Sequence, residues 1–179
     1  MASEARHCVS MDDRVADETR HRGGPALFVD ADACPVLSAA IGIATARRVR
    51  ITLVANHTQN LGRFASRAGV EIFEVPGGSD AADFWIASHV EAADVVVTGD
   101  IGLAAMVLGR GARALGFRGQ EFHSATIDAA LLVRHEEKKV RRGGGRTKGP
   151  APLTDEDKER FAAALKRMLG APPLRPGPS

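Results

Sequence analysis

An alternation constrains this chain more than any other feature. Short apolar runs, ALFVD (26–30), ITLVAN (51–56), VEIFEVP (70–76) and DVVVTGD (94–100), are separated by longer stretches with apolar residues at helical spacing. Within the runs, apolar residues occupy consecutive positions, which predicts strands covered on both faces. Strand and helix in repetition predict an α/β fold: a mainly parallel sheet flanked by helices in three layers. The helices are expected over 35–48, 61–69 (short, stopped by Gly69), 79–93 (Ser79 or Asp80 as N-cap) and 101–111. Pro35 suits a first helical turn, where its missing N–H costs little. Residues 112–117 read as a short fifth strand and 126–142 as a helix that turns basic. The last helix is expected over 154–169, with Thr154 and Asp157 as a variant capping box.

A chain of 179 residues with 44% hydrophobic but only 4% aromatic residues builds its core from Ala, Val, Leu and Ile. Residues 1–24 are polar and mixed in charge, and 171–179 are rich in Pro and Gly; both are expected to be disordered, leaving a single domain over 25–170. No run approaches the ~20 apolar residues of a membrane span, and the N-terminus lacks a signal-peptide core. A soluble cytoplasmic protein with no membrane partner is the expectation. Cys8 and Cys34 do not look like a disulfide pair, and neither Cys-x-x-Cys nor His-x-x-x-His occurs. Cys34 stands near a helix start, where a thiol can be activated; a small buried side chain is the favoured reading.

Ligands of open parallel sheets bind beyond the carboxyl ends of the strands. There the first strand delivers Asp30 and Asp32, and the second Asn56 and His57. The third delivers Asp80 and Asp83 past Gly77-Gly78, and the fourth Thr98 and Asp100. Asp80 and Asp83, three apart, share one face of a helix. Two unit charges about 4 Å apart repel by roughly 4 kcal/mol at an effective dielectric of 20. Such a set calls for solvent, a shared proton or a cation. Oxygen-only donors suit Mg²⁺ or Mn²⁺, ions that activate water and neutralise a phosphodiester. Asp30, Asp80, Asp83 and Asp100 are the candidate metal ligands and catalytic residues; Asp32, Asn56 and Thr98 are candidate supports. Asp32, Asp80 and Asp100 also stand where a helix cap belongs, and each can serve as one instead. Asp94 precedes its strand and is expected at the opposite edge, on the surface. Glu71 and Glu74 read as peripheral, and Trp85, with Ile86 and Val90, as helix packing.

Between 134 and 148, seven cationic against two acidic side chains leave +5 within fifteen residues. Of these, Lys138, Lys139, Arg141, Arg142, Arg146 and Lys148 are the candidates for holding a phosphate backbone, although such a run can also be a solvated helix end.

The stretches VDADACPV, TLVAN, GSDAADFWI, DVVVTGDIGLAA and RRGGGRTKGPAPLTDEDKERF, in that order, resemble the YaiI/YqxD family of bacterial proteins over about residues 26–168. The resemblance implies a PIN-like domain, similar to metal-dependent ribonucleases with acidic residues clustered at the edge of a parallel sheet. By position, Asp30 matches the first-strand acid, Asp80 and Asp83 the central acids, and Asp100 the acid after the fourth strand. Asp32 belongs to the family's own DAD motif. Gly99 stands where the family's TAD form has Ala, a change expected to be tolerated in a turn. The leading expectation is a metal-dependent nuclease acting on RNA. One alternative is an RNA-binding protein without catalysis. Another is a phosphatase of haloacid dehalogenase type, with Asp30 as nucleophile and Asp32 as acid/base. Against the phosphatase, Cys34 stands where that motif usually has Thr or Val, and no acid follows Asp100 at three to five positions.

Overall fold

A computed structural model describes residues 24–32, 34–56, 61–78, 80–129, 131 and 151–170. Its sheet has six strands: β1 (Leu27–Asp30), β2 (Ile51–Ala55), β3 (Val70–Glu74), β4 (Val95–Val97), β5 (Arg113–Leu115) and β6 (Glu121–Phe122). The spatial order is β3-β2-β1-β4-β5-β6. The first five are parallel, and β6 returns antiparallel to β5. The order in which strands are added reverses between β1 and β4, whose parallel register pairs Leu27 with Val95 and Val29 with Val97. A parallel sheet opens a crevice at such a reversal, beyond the carboxyl ends.

Side chains alternate between the two faces of each strand. Leu27, Val29, Leu53, Val95 and Val97 face one core with α1 (Leu37–Ala46) and α4 (Asp155–Gly170); Phe28, Val54, Val96 and Ala114 face the other with α2 (Ala81–His89) and α3 (Ile101–Gly109). Both faces are covered, which is why the strands read as continuous apolar runs. The three-layer α/β fold is the one expected.

Several local readings change. Pro35 precedes α1, which starts at Leu37 with Val36 at its N-cap and no side-chain cap. The expected helix over 61–69 shrinks to a single 3₁₀ turn, Gly62–Phe64. Gly69 does take the left-handed φ of +78° before β3 begins. Helix α2 stops at His89, because Val90 turns extended at φ −72°, ψ 145°. Two-residue β6 was too short to leave a sequence signal. The capping box is as expected: Asp157 N–H donates to Thr154 Oγ1 at 3.1 Å and Thr154 N–H to Asp157 Oδ2 at 3.0 Å. Arg118 and Arg160 both bond Asp157, and Arg118 also donates to the Ala151 carbonyl, fixing the start of α4 to the β5–β6 turn. Helix starts at residue 124 in the predicted basic helix. The six candidate phosphate-binding residues, Lys138 to Lys148, and His57 lie outside the described residues, as do both expected disordered tails save Gly24. Among the described residues, no helix is long and apolar enough to cross a membrane.

Candidate functional site

The reversal between β1 and β4 brings Asp30 and Thr98 together. Asp30 follows Phe28, and Thr98 follows Val96, on the α2–α3 face. The fully buried Thr98 hydroxyl donates to Asp30 Oδ2 at 2.9 Å. The same hydroxyl oxygen accepts the Asp100 N–H at 2.9 Å. One threonine thus joins the ends of two central strands.

Asp100 then caps α3, with Oδ1 accepting Gly102 N–H at 2.6 Å and Leu103 N–H at 3.2 Å. The cap reading holds for this residue. It places a carboxylate beside Asp30 rather than away from it, since Asp100 is among the charges that act on Asp30. Gly99, between them, has a packing reason of its own. A Cβ there would lie 2.6 Å from the Phe117 ring, so an alanine would have to displace that ring. Sequence reading had no means of pairing 99 with 117.

Asp32 does not cap α1. Its carboxylate turns to the next strand, accepting the Asn56 backbone N–H at 3.2 Å and the Asn56 Nδ2 at 2.9 Å. The physical reason is topology. Parallel pairing sets Asp30 beside Val54, so the residues just past both strand ends meet. The bond makes Asp32 a brace between β1 and β2. Because a carboxylate only accepts, it fixes the amide with Nδ2 toward Asp32. Asn56 Oδ1 is then left buried with no hydrogen-bond partner among the described residues.

Asp30 is the electrostatic centre of the edge. Burial pushes its carboxyl above the usual value of 3.8, and the neighbouring Asp32 and Asp100 carboxylates push the same way. The Thr98 hydroxyl and the Asp32 backbone N–H pull against them. Among the described residues, the donors that serve it are neutral. Cys34 lies close enough to feel the Asp30 charge. Burial, the larger cause, and that charge push its thiol up to about 12, which makes it an inert, partly buried core side chain.

Asp80 and Asp83 stand one turn apart at the start of α2. Asp80 occupies the N-cap position without a side-chain cap bond. Asp83 is half-buried and precedes the buried Ile86, Ala87 and Val90 by three, four and seven residues, continuing the stripe that α2 turns to the sheet. Both thus belong to the Asp30 side of the sheet, and both keep partners of their own. The carboxylates that act most on Asp30 are nevertheless Asp32 and Asp100. Among the described residues, no three His, Cys, Asp or Glu side chains converge into a ready metal-binding group. Such an edge suits Mg²⁺, which keeps several waters and takes one or two carboxylates plus substrate phosphate, better than an ion needing a closed protein cage. The oxygen-only donor set is of the kind that ion takes.

The chain also has a cavity of about 360 Å³, lined by Phe28, Arg50, Thr52, Glu71, Glu91 and Asp94 among others. It lies at the amino ends of the strands, away from the carboxylates. Asp94 there is buried, not on the surface as expected, and accepts Ala26 N–H at 2.8 Å and Glu91 N–H at 2.9 Å. Glu71 and Glu74 are exposed, as expected, and Trp85 packs between Phe73 and His89.

The family described as "Uncharacterized BCR, YaiI/YqxD family" matches residues 28–171. A UPF0178 protein of Bacillus velezensis is 45% identical over 145 residues, covering 80% of this chain and 84% of its own. Another from Xanthomonas oryzae pv. oryzae is 45% identical over 159 residues, covering 87% and 97%. A third, from Bacillus thuringiensis subsp. konkukian, is 40% identical over 143 residues, covering 80% and 97%. No solved structure matches.

Proposed function

The chain belongs to the YaiI/YqxD family, and from its carboxylate edge we propose that it is a metal-dependent phosphodiesterase acting on RNA. One observation carries this reading. Asp30 is a half-buried carboxylate that, among the described residues, gathers two further carboxylates and neutral donors at the strand-order reversal. A protein needing only stability would set a cation or apolar packing there, because a half-buried charge beside like charges is costly.

Asp30 and Asp100 would hold the ion, with Asp80 and Asp83 as candidates from the first turn of α2. Bound there, Mg²⁺ or Mn²⁺ supplies charge neutralisation at phosphoryl oxygens and a nucleophile at neutral pH. The chain supplies the rest. Thr98 fixes one oxygen of Asp30, the α3 amides fix Asp100, and the Asp32–Asn56 brace holds the adjoining loop. RNA as substrate rests on the +5 stretch over 134–148.

The phosphatase alternative needs Asp32 free to pass a proton, and its engagement with Asn56 counts against that role. RNA binding without catalysis has no use for three carboxylates crowded at one edge. The test is cleavage of single-stranded RNA in Mn²⁺ by the wild type, D30N and D100N, each checked for folding by circular dichroism. Cleavage lost in both variants supports the proposal. Cleavage retained in both, or none by the wild type, overturns it.

A further inference from the structure

Two arginines share one ring on the crossover from β2 to β3. Phe64 closes the 3₁₀ turn and is buried, 4% exposed, in the α1–α4 core. Its ring carries Arg63 Cζ at 4.8 Å and Arg67 Cζ at 5.6 Å from the centroid. The two charges are therefore no more than about 10 Å apart, roughly one Debye length at 0.1 M salt. Both side chains are exposed, and neither forms an ion pair with any acid among the described residues. The segment 61–69 contains no Asp or Glu. Cation–π contact at an exposed site contributes only about 0.5–1 kcal/mol, enough to orient a guanidinium but not to discharge it. A guanidinium exposed to solvent keeps N–H groups that match a phosphate in bidentate fashion. The crossover runs from the carboxyl end of β2 to the amino end of β3, and Arg67 lies near that amino end, its carbonyl accepting the Val70 N–H at 3.2 Å.

We propose that Arg63 and Arg67, gathered over the Phe64 ring on the β2–β3 crossover, form a phosphate-binding pair that grips the nucleic-acid backbone. The inference rests on the RNA reading above for its ligand, not on cleavage. It is tested with the full chain and a fluorescent single-stranded RNA oligonucleotide in EDTA, where no metal-dependent cutting occurs. The R63Q/R67Q double variant should bind more weakly. Its plot of log affinity against log salt should be shallower by about 1.4, the loss of two single-strand phosphate contacts. R63K/R67K, which keeps the charges, should retain most of the slope. Equal affinity and slope in a correctly folded R63Q/R67Q variant, or no RNA binding by the wild type, would overturn the pair. RNA that is bound with the expected slopes yet stays uncut in Mn²⁺ removes the catalytic reading and leaves the pair standing.

Discussion

Asp30 and Asp94 are the same residue type at opposite ends of neighbouring strands, and their surroundings could hardly differ more. Asp94, at the amino edge, is 9% exposed and accepts two backbone N–H groups, from Ala26 and Glu91. The Arg113 guanidinium stands near it and donates to the adjoining Ala93 carbonyl at 2.9 Å. Asp30, at the carboxyl edge, receives a hydroxyl and one backbone N–H and faces two carboxylates. One acid is built into the fold as an acceptor; the other is held in position and, among the described residues, set beside like charges. Chemistry is expected at the second, even though the cavity of about 360 Å³ lies beside the first. The buried charge at the amino edge already has its donors.

The largest effect expected from this contrast is on stability. Asp94→Ala strands two backbone amides and should cost about 3 kcal/mol in urea unfolding, with Asp94→Asn losing less because it keeps one acceptor. A cost near zero for the alanine variant would erase the distinction between the edges. Asp30→Asn should behave oppositely, folding as stably as the wild type or more so while losing the response to metal. Saturating Mg²⁺ or Mn²⁺ at a hundred times its dissociation constant should stabilise the wild type by about 2.7 kcal/mol, read as a higher Tm, and leave D30N unmoved.

The pH dependence has a defined sign. The folded-state pKa of Asp30 lies above the ordinary 3.8, so ionising it opposes folding. That penalty is full above the raised folded pKa, falls as pH drops through it, and is gone below 3.8. The stability advantage of D30N over the wild type, without metal, should shrink across the same window; an advantage constant with pH would contradict it. A smaller effect is expected at Thr98. Thr98→Val removes a donor to Asp30 and an acceptor for the Asp100 N–H, costing about 1–2 kcal/mol, whereas Thr98→Ser should recover most of it. The smallest is chemical: with its pKa near 12, Cys34 in a C8S background should resist alkylation at neutral pH until the protein is unfolded.

Much of the carboxyl edge was legible because strand ends can be read from apolar runs. Asp30, Asp32, Asn56, Thr98 and Asp100 all close or follow such runs, and the structure gathers these five. The partnerships were not legible. Asp32 looked like a cap for the next helix because capping is local, but the carboxylate found Asn56, 24 residues away, across a parallel strand pair. Asp94 looked exposed because it precedes its strand, yet it ties down Ala26 from 68 positions away. The helix expected over 61–69 failed because its apolar residues, Leu61 and Phe64, anchor only one turn to the core.

By itself, the sequence determined the layered α/β architecture, since consecutive apolar residues in short strands are stable only when both faces are covered. It also determined which edge would collect carboxylates, because every parallel strand points the same way. Tertiary structure alone decided which of those carboxylates act on one another. The reversal of strand order between β1 and β4 set Thr98 against Asp30 and brought Asp100 near, and pairing of β1 with β2 drew Asp32 to Asn56. Charge and hydrogen bonding act over a few ångströms of space, and the distance along a chain carries no measure of that separation until the sheet is assembled.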